Sequence, residues 1–285
     1  MASMRDIKRR RSSIASTQQI TKAMKLVSTV KLQKTKARAE RSKPYFDKMY
    51  DTVTSMLAKS GTIEHPYLKP QDSPKKAVIL ITSNRGLAGG YNSNVIKAVT
   101  GSKLDQKDIV LYSVGHKGRE QLLRKGYQEA KDYSEVIENP VFQDAQEICR
   151  DVLSAYASGE VGEIYLAYTY FKNTVVHEPK LLKLLPVEIS EADVEAAKAN
   201  MMMNFEPEAE EALDVIIPKY MTSIIYGALV ESVASENGAR MQAMDSATSN
   251  AEEMISKLTL QYNRARQGSI TQELTEIIAG AEALE

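Results

Sequence analysis

The chain has 285 residues, enough for one large domain or two smaller ones. Basic and acidic residues number 37 each, so the net charge is zero and shows no overall preference for nucleic acid or anionic lipid. The single cysteine, Cys149, excludes an internal disulfide framework and fits a reducing compartment.

Residues 1–60 predict one long helix. The segment contains no glycine and one proline, and apolar residues such as Ile20, Met24 and Val27 recur at steps of three and four. A helix of this length would extend roughly 80 Å. Its basic start is not followed by an apolar stretch, so we do not expect a secretory signal.

The middle of the chain predicts a small α/β domain, assigned to residues 75–195. A linker rich in proline precedes it, and strands then alternate with helices, which is typical of a mainly parallel sheet. The predicted strands are 77–81, 108–114, 163–171 and 180–187, with a loop at 173–179 before the last. The predicted helices are 93–104, 116–125 and 141–158.

Residues 208–285 predict a second long helix, roughly 110 Å in extent. Met244, Ala247, Ala251, Met254 and Leu258 lie on one face of it. Because it contains no run of about 20 apolar residues, we do not expect it to cross a membrane. Proline 218 is expected to kink this helix or to mark its true start.

The two terminal helices have opposite charge. Residues 5–48 contain fourteen basic and three acidic residues, a net charge of +11, whereas residues 206–285 contain five basic and fourteen acidic residues, a net charge of −9. Antiparallel pairing of the two helices is therefore expected. The second helix is about 20 residues longer by sequence, so its end, with Ile270, Leu274 and Ile277, is expected to need cover from other subunits.

The basic run is expected to be a solvated helix face and not a nucleic-acid-binding arm. It lacks interleaved aromatic residues before Tyr45, and the chain contains its own acidic helix. We therefore predict no nucleic-acid partner.

A glycine-rich loop, Gly86 to Gly90, lies between a predicted strand and a predicted helix, where phosphate-binding loops occur. The sequence GLAGG has neither the G-x-G-x-x-G spacing nor a following Gly-Lys-Ser/Thr. A tight strand-to-helix turn is the favoured interpretation, and a nucleotide-binding α/β enzyme is the alternative. No catalytic, metal-binding or cofactor-binding cluster is predicted, since the three histidines lack second ligands at metal spacing.

Four stretches resemble the gamma-subunit family of F-type ATP synthases. They are RDIKRR…ITKAMKLVS at 5–28, SNRGLAGGYN at 83–92, ARMQAMDSATSNA at 239–251 and YNRARQGSITQELTEIIAGAEAL at 262–284. The resemblance implies a long antiparallel two-helix coiled coil, formed by the N- and C-terminal segments, with an inserted Rossmann-like α/β domain. The fold class is thus mixed, α+β or α/β.

The resemblance also implies a role and partners. The role is that of the central rotor shaft of a proton-translocating ATP synthase, which transmits torque without an active site of its own. The partners would be the alpha and beta subunits, an epsilon subunit and a membrane ring of c subunits, on the cytoplasmic face of a bacterial plasma membrane and peripheral to it. The sequence leaves the coupling ion open, and a coiled-coil scaffold is an alternative function.

Particular residues match family contact positions. Met24, with Lys22 and Lys25 beside it, matches the position that faces the moving beta-subunit lever. A second set matches polar contacts to a beta-subunit loop: Arg266, Gln267, Thr271 and Glu273. A third set matches the foot segment near the c-ring: Phe205, Glu206 and Pro207.

Overall fold

The computed structural model describes residues 3–59, 65–69, 71–187 and 209–282. Contacts group the chain into two units, residues 29–240 and residues 1–28 together with 241–285. The first helix, α1 (Met4–Lys59), and the last, α5 (Ala209–Glu282), contribute to both units. Both helices lie within the segments 1–60 and 208–285 that were predicted to be helical. The finer division into 1–60, 75–195 and 208–285 stays a prediction.

The unit formed by residues 29–240 contains the sheet. Its elements between the two long helices are, in chain order, β1 (Lys76–Ile81), α2 (Tyr91–Thr100), β2 (Ile109–Val114), α3 (His116–Leu123), β3 (Gln128–Asp132), α4 (Phe142–Ala157), β4 (Glu163–Phe171) and β5 (His177–Leu185). The strand order is β3-β2-β1-β4-β5. All neighbours are parallel except β4 and β5, which form an antiparallel hairpin. The predicted mainly parallel α/β arrangement is confirmed.

Both faces of the sheet are covered, and its central strand is apolar and buried from Ala77 to Ile81. On β1, Val78 and Leu80 pack with α2 and α3 in one core. Ala77, Ile79 and Ile81 point to the opposite face, as alternate residues of a strand do, and pack with α4 and α5 in a larger core. The apolar stripe of α5 that begins at residue 213 is therefore buried by the chain itself.

Three elements differ from the sequence prediction. Strand β3 was not predicted, because its sequence QEAKD is mostly exposed at the sheet edge and has no apolar alternation. Helix α2 begins two residues earlier than predicted and ends at Thr100, where Gly101 caps it by donating to the Lys97 carbonyl. Strand β5 begins at His177, inside the predicted loop, since an edge strand tolerates Pro179.

In the unit formed by residues 1–28 and 241–285, the two helices run antiparallel. The Oγ1 atoms of Thr21 and Thr248 lie 2.8 Å apart, and Lys25 Nζ lies 2.6 Å from Asp245 Oδ1. Further along, the Arg11 guanidinium lies 5.7 Å from the centre of the Tyr262 ring. Because residue numbers rise on one helix as they fall on the other, the predicted antiparallel pairing is confirmed.

The seam between these helices does not include all of the apolar residues whose spacing predicted α1. Ile20 and Val27 are 60% and 58% exposed, whereas Thr21 and Ser28 are buried. Both buried hydroxyls donate to carbonyls of their own helix, so small polar residues enter the seam at little cost. Ile20 and Val27, whose spacing helped to predict the helix, therefore lie outside the seam, and Met24 is half-buried.

On α5 the predicted face is largely correct. Met244, Ala251 and Leu258 are buried at intervals of seven residues. Met254 is the exception, since it is 52% exposed. The expectation that Pro218 begins the helix is wrong, because α5 runs from Ala209 through Pro218 without interruption.

Part of α5 is, by length and composition, apolar enough to cross a membrane. No run of about 20 apolar residues occurs there, because Lys219 and Glu231 interrupt the apolar part of α5. Just over half of that stretch, 56%, is buried inside the fold. A core helix passes the same test, and the packing of α5 on the sheet accounts for its apolar character.

Candidate functional site

An exposed apolar strip lies along α1 at Met24, the first of the predicted contact residues. Ile20, Met24 and Val27 lie on one face at steps of four and three, and Met24 is the half-buried member between two exposed neighbours. Lys22 is exposed, whereas the Lys25 ammonium contacts the Asp245 carboxylate. Such a strip suits an apolar partner surface with acidic groups at its edge.

The second predicted set lies near the end of α5. Arg266, Gln267, Thr271 and Glu273 are all exposed. The Thr271 hydroxyl donates to the Gln267 carbonyl at 2.9 Å, so these two side chains share one face.

The end of α5 is exposed on every side. Every residue from 270 to 281 is classed as exposed. Its large apolar side chains, Ile270, Leu274, Ile277 and Ile278, lie on one face of the helix at steps of four, three and one. We refer to residues 266–281 as the tip.

The two predicted sets do not form one site. Lys25 contacts Asp245, and Arg266 lies 21 residues further along α5, roughly 30 Å at the helical rise. They are therefore two separate contact zones on the two-helix unit. The third predicted set, Phe205, Glu206 and Pro207, lies outside the described residues.

The glycine-rich loop is closed by contacts within the chain. In the first turn of α3, the backbone N–H groups of His116, Lys117 and Gly118 donate to Asn84 Oδ1, the Ser83 carbonyl and Thr82 Oγ1. A phosphate at this helix start would need those donors. These bonds occupy the start of α3, whereas the loop itself leads into α2, where the Tyr91 N–H donates to the Ala88 carbonyl as in a tight strand-to-helix turn. The choice between such a turn and a phosphate-binding loop stays a prediction.

Sequence reasoning missed a buried ion pair beside this loop. Arg240 Nη1 lies 2.6 Å from Glu236 Oε1, and both side chains are largely buried. Arg240 Nη2 also approaches the carbonyl oxygens of Arg85 and Gly86, at 3.4 and 3.3 Å. Burial raises the pKa of Glu236, and Arg240 opposes that shift. The residues are far apart in sequence from the loop, so no local pattern indicates the contact.

Cys149 is a buried thiol on α4. Burial raises its pKa to about 11, which disfavours the reactive thiolate. It lines a groove of about 710 Å³ beside α4 and α5 that also includes Phe142 and Lys219. Among the described residues, no group of three or more histidine, cysteine or acidic side chains is placed to hold a metal ion.

Comparison with known proteins gives consistent results along the whole chain. The protein-family model described as ATP synthase matches residues 3–284. The ATP synthase gamma chain of Lachnoclostridium phytofermentans is 67% identical over 290 residues, with 100% of both chains covered. The sodium ion specific ATP synthase gamma chain of Acetobacterium woodii is 42% identical, with 99% of this chain and 98% of that one covered.

Solved structures show the same likeness. A chain in the central stalk and c-ring structure of the Tetrahymena thermophila mitochondrial ATP synthase superposes with a TM-score of 0.59 at 28% identity, covering 80% of this chain and 99% of that one. A chain of the Euglena gracilis mitochondrial ATP synthase superposes with a TM-score of 0.69, covering 99% of this chain and 94% of that one. At 18% identity the second match shows a similar fold alone.

Proposed function

Because the chain belongs to the ATP synthase gamma-chain family, we propose that it is the central rotor shaft of such an enzyme. It transmits torque between a membrane ring of c subunits and a catalytic hexamer of alpha and beta subunits. The exposed tip of α5 is the observation that supports this most directly. Four exposed large apolar residues at one helix end form the kind of apolar patch that marks a surface covered by other subunits.

In this proposal the chain is a non-catalytic subunit. Nucleotide chemistry belongs to the hexamer, and the shaft changes the nucleotide affinity of each beta subunit by contacting it differently at each angle. The apolar strip at Ile20, Met24 and Val27 supplies such an asymmetric contact, since it lies on only one face of α1.

We propose two contact zones with the beta subunits and one with the c-ring. Met24 and Lys22 face the beta-subunit lever, and Lys25 contributes positive charge beside them while contacting Asp245. Arg266, Gln267, Thr271 and Glu273 contact a beta-subunit loop near the tip. Phe205, Glu206 and Pro207 are proposed to lie near the c-ring.

The remaining partners and the location follow from the same proposal. An epsilon subunit binds at the α/β domain, and the whole complex is peripheral to the cytoplasmic face of a bacterial plasma membrane. Either protons or sodium ions could drive the ring, because one similar gamma chain is named as sodium ion specific. No cofactor bound to this chain is proposed.

Rotation of a bead attached to the α/β domain tests the proposal. Lys107 is exposed and suits a cysteine label, while the native Cys149 is buried and should not react. We expect the chain to assemble with alpha and beta subunits, and the bead to turn in one direction when ATP is added. Failure to assemble, or a bead that stays still while ATP is hydrolysed, would contradict the rotor function.

A further inference from the structure

Helix α5 crosses the sheet at the ends of two neighbouring parallel strands. The loop 83–90 follows β1 and the hairpin turn 172–177 follows β4, so both lie at the same edge of the sheet. Residues 236–240 of α5 contact both segments. We call loop 83–90 and turn 172–177 together the clasp.

The loop side of the clasp holds α5 through Arg240. Its guanidinium lies near the Arg85 and Gly86 carbonyl oxygens while it pairs with Glu236. Both side chains of the pair are nearly buried, with 12% and 13% exposure, so the charge is poorly screened and the geometry is fixed.

The turn side holds α5 through a close approach at Gly238. A Cβ atom at this position would lie 2.7 Å from His177 Cε1 and 2.9 Å from His177 Nε2. The His177 ring in turn packs against Phe171, with 5.8 Å between ring centres. Glycine inside a helix costs about 1 kcal/mol relative to alanine. The close contact explains why the helix contains glycine here.

Directional hydrogen bonds join α5 to β4 just before the clasp. The Thr169 backbone N–H donates to Ser232 Oγ at 3.4 Å, and Ser235 Oγ donates to the Thr169 carbonyl at 3.3 Å. All three residues are buried. Apolar packing alone is non-directional, so these bonds and the Gly238 contact set the rotation of α5 about its own axis.

We propose that the clasp is the point at which torque passes between the α/β domain and α5, and that Gly238 and His177 are its positioning residues. This inference rests on the proposed rotor function. A shaft that turned freely within its own domain would not transmit torque, and at the clasp both sides of α5 are held against the domain.

The variant Gly238→Ala tests the contact in the full chain. Hydrogen exchange of residues 83–90 and 172–177 is expected to accelerate by about tenfold, as for an overpacked buried contact. Gly268→Ala is the matched control, because it makes the same change in the same helix with no atom within 4 Å of the new Cβ. Amide exchange in the clasp of this control variant should equal that of the unmodified chain.

The double variant His177→Ala with Gly238→Ala keeps the test decisive if the single variant folds poorly. Removal of the ring gives the new methyl group room, so the double variant should exchange more slowly than Gly238→Ala alone. Equal exchange in the Gly238→Ala variant and the unmodified chain, or purely additive effects in the double variant, would overturn the proposed contact.

The torque role is measured in the assembled complex. With the hexamer stalled by a non-hydrolysable nucleotide, thermal fluctuation of a bead on the α/β domain should widen in Gly238→Ala and narrow again in the double variant. Unchanged fluctuation in Gly238→Ala overturns the torque role. If the unmodified complex does not rotate with ATP, the rotor function fails instead, while the exchange results still decide whether the contact exists.

Discussion

His177 is half-buried, and its two ring nitrogens are buried without a hydrogen-bond partner among the described residues. Phe171, the Thr174 carbonyl and Gly238 surround it. Burial lowers the pKa of His177 below the ordinary value of 6.5, and the Thr174 carbonyl opposes that shift. No charged side chain contributes to the shift.

This burial predicts a pH dependence of stability. Between the lowered pKa and 6.5 the unfolded chain binds more protons than the folded one, so stability is complete above pH 6.5 and falls as the pH drops. Unfolding midpoints of the full chain between pH 7.5 and 5.5, each compared with those of His177→Gln, measure the effect. The variant should lose less stability over this range, and equal losses would contradict the expectation.

Met24 provides a second prediction at the level of single residues. Met24→Ala removes most of the apolar side chain at the centre of the strip, which should cost up to about 1–2 kcal/mol of contact energy. The torque of the assembled complex should therefore fall. Leu26→Ala is the control, because Leu26 is 62% exposed and lies on a different side of α1. Stalling torque under a rotating magnetic field measures both. Equal torque in the two variants would show that the strip does not contact the lever.

Among the elements, those with a strong local pattern were predictable and those that depend on distant contacts were not. Helices α1 and α5 were predictable from their long apolar period, and α1 also from the absence of glycine in the first 60 residues. Strand β1 was predictable from the apolar run AVILI. The residues of α1 that lie in the seam could not be read from apolar periodicity, because Thr21 and Ser28 are buried there with their hydroxyls donating to carbonyls of their own helix. The contact of Arg240 with Arg85 joins residues 155 positions apart and leaves no local signal, although a glycine inside α5 is a clue to close packing. The contact residues of the partners stay a prediction.

The tip is the element whose removal separates assembly from folding. Ending the chain after Ala265 removes residues that make no contribution to either buried core. The unfolding midpoint of the α/β domain should therefore stay unchanged, whereas affinity for the hexamer and torque should fall. A chain that ends after Gly280 is the control, since it keeps nearly all of the tip. Unfolding of the α/β domain in the shorter chain would show that the tip supports the fold.

At the scale of the whole molecule, the two units differ in how much apolar surface they bury. The unit of residues 29–240 has a sheet with a core on each face, whereas the buried residues of the two-helix unit include the small or polar Thr21, Thr248 and Ala251. Local stability follows buried apolar contact, so protection should decline along α5 from its buried part toward the tip.

Amide hydrogen exchange along α5 tests both this decline in protection and the proposal that other subunits enclose the tip. In the full chain without partners, residues 213–237 should exchange slowly and residues 270–281 fast, because the first segment packs in the core and the second is exposed. When alpha and beta subunits are added, the tip should become protected, since a surrounding sleeve removes its apolar side chains from water and suppresses helix opening. Residues 107–125 of the α/β domain serve as the internal reference, because the hexamer is not expected to cover them. If the tip exchanges equally fast with and without the hexamer, the alpha and beta subunits do not enclose it. A shaft whose tip they do not enclose could not direct torque to the catalytic subunits.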